Sequence, residues 1–405
     1  MAKSPYYKVL VEKSGEDITE FISSLSYEDC TQEDDLVTLQ VEGVVFDIVD
    51  KDYFDVGKEL VFQFGFIGGD SSSKRYCVVT DSDCDYIGGR ANLTVKCRDL
   101  GFYAKKVSSS FVYKNKTASE IAEDIAGKFG FIKKVEKTTK KYESLPMGNK
   151  SFMQFLKELA EKEGSQSSDG KGTFEVFVRG KTLYFQKRDL SKKAERLLSY
   201  GEGNGVVKDF GISYEDSTDG ASESATVSGI DTETGEAFSS TAKASDNKES
   251  TTGDKSLHFD VNGNLQNGLG DAKSASSGKT VAAPATKEEE AKDKAGAINK
   301  DAKAKIMKAT IEVEFDPTWE AGQIVTVSGV AQKHAGNWKI EKVTQKVDGG
   351  GGATTLECYR NGAKKAASTT KDSNAGAANT TQGSESGSVK KDLETVNFDV
   401  NGNKK

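Results

Sequence analysis

The sequence predicts a mainly β chain of the α+β class. An antiparallel β-domain comes first, then a compact α+β unit, then a second β-domain interrupted by a polar insertion. Three observations carry this. Residues 5–103 alternate apolar and polar positions in short runs parted by turn residues. The period then becomes that of amphipathic helices over 117–131 and 149–164. Alternation resumes after 200, lapses into a polar stretch, and returns at 309.

The first β-domain is expected over 1–105. The runs YYKVLVEK, LVTLQVEGVVFDIV, ELVFQFGFI, RYCVVTDSD and ANLTVKCRDL each read as strands. So many strands in so short a span suit a small antiparallel barrel or sandwich.

The α+β unit is expected over 106–199. Thr117 followed by Glu120 forms a capping box ahead of a helix carrying Ile121, Ala122, Ile125 and Ala126 on one face. Ser151 with Gln154 opens a second helix, striped by Phe152, Phe155, Leu156, Leu159 and Ala160. TFEVFVRGKTLYFQKRD then reads as a hairpin turning around Arg179, Gly180 and Lys181.

The second β-domain is assigned to 200–237 together with 309–362. Between them, 238–308 holds a low-complexity insertion and an Ala/Lys/Glu-rich helix. The stretch 238–285 has almost no large apolar residue and is expected to be loop or disordered. The helix over 285–309 has a weak apolar stripe and is expected to lie on the surface. Residues 363–405 form a polar tail. FDVNGN occurs at 259–264 and again at 398–403. Each copy is either a small β-arch set on a partner, since Asn-Gly favours a tight turn, or a duplicated piece of linker.

Composition narrows the function. Hydrophobic residues make up 35% and charged residues 29% of the 405, so part of the chain is not core-forming. A net charge of −7 provides no basic field for duplex nucleic acid. Cys30, Cys77, Cys84, Cys97 and Cys358 are odd in number and lack CxxC spacing, which argues for free thiols. Cys97 and Cys358 sit in the strand-like runs LTVKC and TTLEC and are expected to be strand residues. Charges interrupt every apolar run near the N-terminus, and no run approaches the roughly 18 apolar residues of a spanning helix. Synthesis in the cytoplasm and no direct membrane insertion are expected.

No catalytic, cofactor-binding or metal-binding residue is expected. His258 lies in the insertion. His334 lies in a polar loop before Trp338, in SGVAQKHAGNWKIEKVTQKV. There Lys339, Glu341 and Lys342 are expected to point outward from a hairpin. Asp81, Asp83 and Asp85 begin like a calcium loop, but Tyr86 and Asn92 stand where glycine and glutamate are needed. Their alternation also fits a strand with one carboxylate face in water. Glu314, Asp316 and Glu320 near Trp319 read as a strand and a proline turn.

The ordered series TASEIAEDIAGKFG, SFMQFLKELAEKEG, FEVFVRGKTLYF, SYGEGNGVVKDFGISYED, VSGIDTETGEAF and WEAGQIVTVSGVAQKHAGNWKIEKVTQKVDGGGGATTLECYRN resembles the phage late control D family. These are baseplate hubs of contractile tails, similar to the N-terminal part of VgrG, and the resemblance spans roughly 5–362. It implies two tail-tube-like β-barrel domains per chain and a homotrimer that joins a threefold spike to a sixfold tube. The implied partners are a separate central spike protein, tail tube or tube-initiator proteins, neighbouring baseplate proteins and the tape measure. DNA or effector would pass through the channel without specific binding, and the particle would carry the hub at its baseplate. Two other readings remain: a hub-associated peptidoglycan-cleaving enzyme, or a surface glycan-binding module using Trp319, Trp338 and tyrosines.

Overall fold

A computed structural model of the chain describes residues 4–165, 174–201, 207–214, 224–231, 234–243, 252, 255–259, 265–267, 279–282 and 288–363. Met1–Ala366 form one compact unit; Ala367–Lys405, with the second FDVNGN copy, lie outside the described residues. The fold is mainly β with few helices.

The described residues build a twelve-stranded sheet, whose strands we number in chain order. The first six are β1 (Pro5–Val11), β2 (Ile22–Cys30), β3 (Leu36–Val44), β4 (Glu59–Phe66), β5 (Arg75–Ile87) and β6 (Arg90–Asp99). The last six are β7 (Arg196–Ser199), β8 (Val207–Tyr214), β9 (Met307–Glu314), β10 (Ile324–Ser328), β11 (Gly336–Asp348) and β12 (Gly351–Arg360).

Their spatial order repeats. The first six lie as β1-β4-β5-β6-β3-β2, and the last six as β7-β10-β11-β12-β9-β8, the same permutation. Only the β7–β10 pair is parallel; its counterpart β1–β4 is antiparallel like the rest. The irregularities repeat as well. β5 and β11 are thirteen residues each. Each slips register at the same place, between Val79 and Asp81 and between Ile340 and Lys342. β2 and β8 slip at their starts, after Ile22 and after Val207. Cys97 of β6 corresponds to Cys358 of β12, and both are buried.

Each half has its own core. Val9, Leu25, Leu39, Phe62 and Val95 belong to the first, and Ile311, Val325, Trp338, Ile340 and Leu356 to the second. The halves join because β11 outruns its partner β10. Gly336–Lys339 pair with β10, while Lys342–Asp348 pair with β2. Val347 of β11 is therefore packed in the first core, opposite Leu25.

The α+β unit packs α1 (Ala118–Lys128) and α2 (Phe152–Ser165) on the hairpin Phe174–Arg179/Thr182–Lys187, with Ile132–Val135 running parallel beside it. Ile121, Ile125, Phe152, Leu156 and Phe185 share its core. The capping box forms as the sequence predicts: Thr117 Oγ1 accepts from Glu120 N, and Glu120 accepts from Thr117 N. The hairpin turns on Gly180 and Lys181, with positive φ at Gly180, which suits a two-residue turn.

The insertion departs from expectation. Ser224–Ile230 leaves the main sheet and pairs with Ala237–Lys243 and Lys279–Ala282, so part of the expected loop is strand. The alternation is carried by small residues: Ala225, Val227 and Ala242 are buried, while Thr226 and Thr241 pair through their hydroxyls at 2.8 Å. α3 (Glu288–Ala304) lays Ala291, Ala295 and Ile298 on this small sheet. It is not a free surface helix, because a stripe of alanines lets it approach the strands closely. Lys255–Phe259 and Leu265–Asn267 form a hairpin around the first FDVNGN copy, with Phe259 opposite Leu265; residues 260–264 lie outside the described residues.

Candidate functional site

Two regions stand out: a buried charged junction, and the open edges of the sheet. At the junction Arg179, from the hairpin turn, reaches both halves. Its Nε and Nη2 donate to Asp29 Oδ1 at 3.0 and 2.8 Å, Nη2 donates to Ala321 O at 2.8 Å, and Nη1 donates to Glu320 Oε2 at 3.2 Å. Arg75 donates to the other oxygen of Glu320 at 2.7 Å. Ala321 N donates to Asp29 Oδ2. Burial works against the charge on Arg179, but Asp29, Tyr27 and Glu320 outweigh it and hold the guanidinium protonated. Burial also opposes the charge on Glu320, yet Arg179 and Arg75 keep its carboxyl below the usual range.

Next to this pair, Tyr27 donates to Asp35 Oδ2 at 2.6 Å, and Asp35 N donates to Asp99 Oδ2 at 2.7 Å. Burial first, then Asp29 and Asp99, push the Asp35 carboxyl well up; burial and then Asp34 push Asp99 up to about 7. Paired carboxylates with raised pKa values can mark catalysis. Here Asp29, Asp35 and Asp99 are at most 3% exposed, so no polymeric substrate reaches them. The cluster fastens the α+β unit to both halves of the sheet.

A second buried pair does the same nearby. Lys339 donates to Glu175 Oε2 at 3.0 Å and is buried. The alternating pattern placed Lys339 outside. Both faces of β11 are covered at this point, one by the second core and one by the hairpin strand carrying Glu175. Glu341 is likewise half-buried and pairs with Lys305 at 2.7 Å; Lys342 pairs with Glu357 at 2.6 Å.

His334 lies in the loop before β11, as expected. Its backbone carbonyl accepts from Trp338 Nε1 at 3.1 Å and from Arg360 Nη1 at 3.0 Å. Arg360 also takes the carbonyls of Lys333 and Ala335 and lies 4.9 Å over the Trp338 ring. The loop is thus held by its backbone. Trp338 is fully buried, and Trp319 is buried with the Arg196 guanidinium 4.2 Å over its ring. Neither indole can stack on a sugar, which removes the main support for the glycan-binding reading.

Asp316 holds Arg196 at 2.8 Å and Glu320 holds Arg75 and Arg179, so these two serve ion pairs, while Glu314 is exposed at the end of β9. Asp81, Asp83 and Asp85 lie at alternate positions of extended β5, on one exposed face, not in a loop. Among the described residues no three His, Cys, Asp or Glu side chains converge as metal ligands. His258 sits in the Lys255–Phe259 strand opposite Gln266. No described helix is long and apolar enough to cross a membrane.

The open edges are the second region. Beyond Val78, β5 loses its β4 partner and projects as an arm with Cys84, Tyr86 and Ile87 exposed. Tyr86 packs edge-on against exposed Phe46 at 5.4 Å. β8 ends the sheet on the other side, beside a shallow depression of about 510 Å³ lined by Tyr200, Phe210, Ile212, Val330 and His334.

No family model and no curated protein matches this sequence. Solved structures do match. The fold is that of phage tail proteins. A tail protein from Neisseria meningitidis MC58 aligns over 88% of this chain and 97% of its own, at 13% identity and a TM-score of 0.58. The 43 kDa tail protein of prophage MuSo2 from Shewanella oneidensis aligns over 88% and 98%, at 14% identity and 0.60. A Francisella PdpA–VgrG complex aligns over 89% of this chain and 53% of that one, at 9% identity and 0.50. At these identities the likeness is one of fold, and it agrees with the resemblance read from the sequence.

Proposed function

We propose that this chain is a structural, non-enzymatic baseplate hub of a phage tail or related injection particle. It acts as a homotrimer that adapts a threefold central spike to a sixfold tail tube. The observation that carries this is the repeated strand order of the two halves, down to the register slips. A chain with two like domains offers six like units when three copies close into a ring, which meets both symmetries.

In this reading residues 1–105 and the pair 200–237 with 309–362 are the two barrel-like domains. Residues 106–199 brace them from outside. The insertion at 238–308 and the tail at 363–405 reach neighbouring baseplate proteins or the tape measure. The channel passes DNA or effector, and a net charge of −7 discourages nucleic acid from adhering to its wall.

Native mass measurement tests it. The expected species, alone or with its spike, has three times the 43.6 kDa of one chain. A chain that stays monomeric in both conditions overturns the proposal.

A further inference from the structure

The join between the two halves supplies a template for the contact between copies. Within one chain the edge of β2 pairs with the far end of β11, from Ser24 opposite Asp348 to Cys30 opposite Lys342. By the repeat, β8 stands where β2 stands, and the arm of β5 stands where the far end of β11 stands. Yet among the described residues neither of these edges has a strand partner. An exposed strand edge is an unsatisfied template for pairing.

We infer that β8 of one copy pairs antiparallel with the Asp81–Ile87 arm of β5 from the next copy. Resting on the proposed trimer, this contact closes the ring. The register follows from the equivalence of Ser24 with Asp209 and of Asp348 with Ile87. Phe210 then faces Tyr86, Gly211 faces Asp85, Ile212 faces Cys84, and Ser213 faces Asp83.

Three independent features fit. First, Leu25 and Val347, the template for Phe210 and Tyr86, are both buried, whereas Phe210 is half-buried and Tyr86 is 64% exposed. Second, Val347 enters the first core, so Tyr86 would enter the second at its open edge. The depression beside Phe210, Ile212 and Tyr200 lies there, and an aromatic ring there would remove apolar surface from water. Third, the carboxylates of Asp83 and Asp85 meet Ser213 and Gly211, so neither faces a like charge; the same register brings Asp81 to Glu215, past the last residue of β8, where like charges end the pairing. The acidic alternation that imitates a calcium loop is then the outward face of an intermolecular strand.

Cys84 is exposed while the other four cysteines are buried, so one substitution tests the register. Directly opposed strand residues place their Cβ atoms close enough for a disulfide after a small adjustment. Under mild oxidation the full chain carrying Ile212→Cys should give a covalent ladder ending at three chains in non-reducing gels. Wild type and Ile212→Cys/Cys84→Ser should not. A second pair, Ser213→Cys with Asp83→Cys in the Cys84→Ser background, uses two exposed positions and should give the same ladder. A trimer by native mass in which neither pair crosslinks overturns the strand pairing and leaves the hub reading intact. A monomer by native mass overturns both.

Discussion

Arg179 donates through Nε and Nη2 to a single oxygen of Asp29, which is wholly buried. The two residues belong to different units, so their bond holds the hairpin of the α+β unit against β2. Breaking such a pair from one side leaves a charge buried without its partner, at a cost of about 3–5 kcal/mol. Arg179→Ala should therefore lower the urea midpoint by that equivalent. The double variant Arg179→Met/Asp29→Leu should recover much of the loss. A loss below about 1 kcal/mol in Arg179→Ala would mean that the junction does not fasten the units.

Trp338→Ala removes a fully buried ring and the donor to the His334 carbonyl. The expected cost is about 3–5 kcal/mol. His334→Ala should stay within about 0.5 kcal/mol of wild type, because the loop is held through backbone carbonyls. Thermal unfolding of the two variants side by side separates them. Equal losses would assign the His334 side chain a role as weighty as that of the Trp338 ring.

Asp35 and Asp99 make a pH prediction. Their folded carboxyls titrate above the ordinary Asp value, Asp99 near 7. Between about pH 4 and pH 7 the folded state thus holds more protons than the unfolded chain, so these groups make stability fall as pH rises. Each contributes at most about 1.4 kcal/mol per pH unit. Asp99→Asn should be less stable at every pH, because both carboxylate oxygens accept backbone N–H groups, from Asp35 and Gly101. Its slope of unfolding free energy against pH over that window should nevertheless be less negative than that of wild type. An unchanged slope would show that Asp99 is ionised throughout.

Local signals were legible in the sequence and long-range ones were not. The Thr117 cap, the Ile121 and Phe152 stripes and the Gly180 turn depend on near neighbours, and each lies where its pattern puts it. Alternation points Lys339 outward because it assumes one wet face, but Glu175 covers that face from 164 residues away in the chain. The strand Ala237–Lys243 has little apolar signal because, after Phe238, only small residues carry its inward face. The internal repeat did leave a trace: the pair Gly88-Gly89 and the four glycines at 349–352, followed by LTVKC and TTLEC ending at Cys97 and Cys358. Pairing those runs would have suggested the duplication, though not the edge that β2 and β11 share.

Gly329 offers the most local test of the second half. Its φ is +75°, and a Cβ there would lie 2.0 Å from the Tyr200 carbonyl oxygen. Tyr200 N in turn donates to Ser328 O at 3.0 Å, continuing the β7–β10 pairing. The obstructing atom is backbone, so it can yield only by pulling β7 from β10. Gly329→Ala should therefore cost at least the roughly 1–3 kcal/mol of a strained left-handed residue. Gly349→Ala is the control, since its Cβ would meet nothing within 4 Å and its φ is ordinary. That variant should be neutral or gain up to about 1 kcal/mol from the stiffer unfolded chain. Hydrogen exchange at β7 distinguishes the two: protection at Leu197–Ser199 should fall in Gly329→Ala alone. Retained protection there would mean that the β7 edge is held by something other than its contact with Ser328 and Gly329.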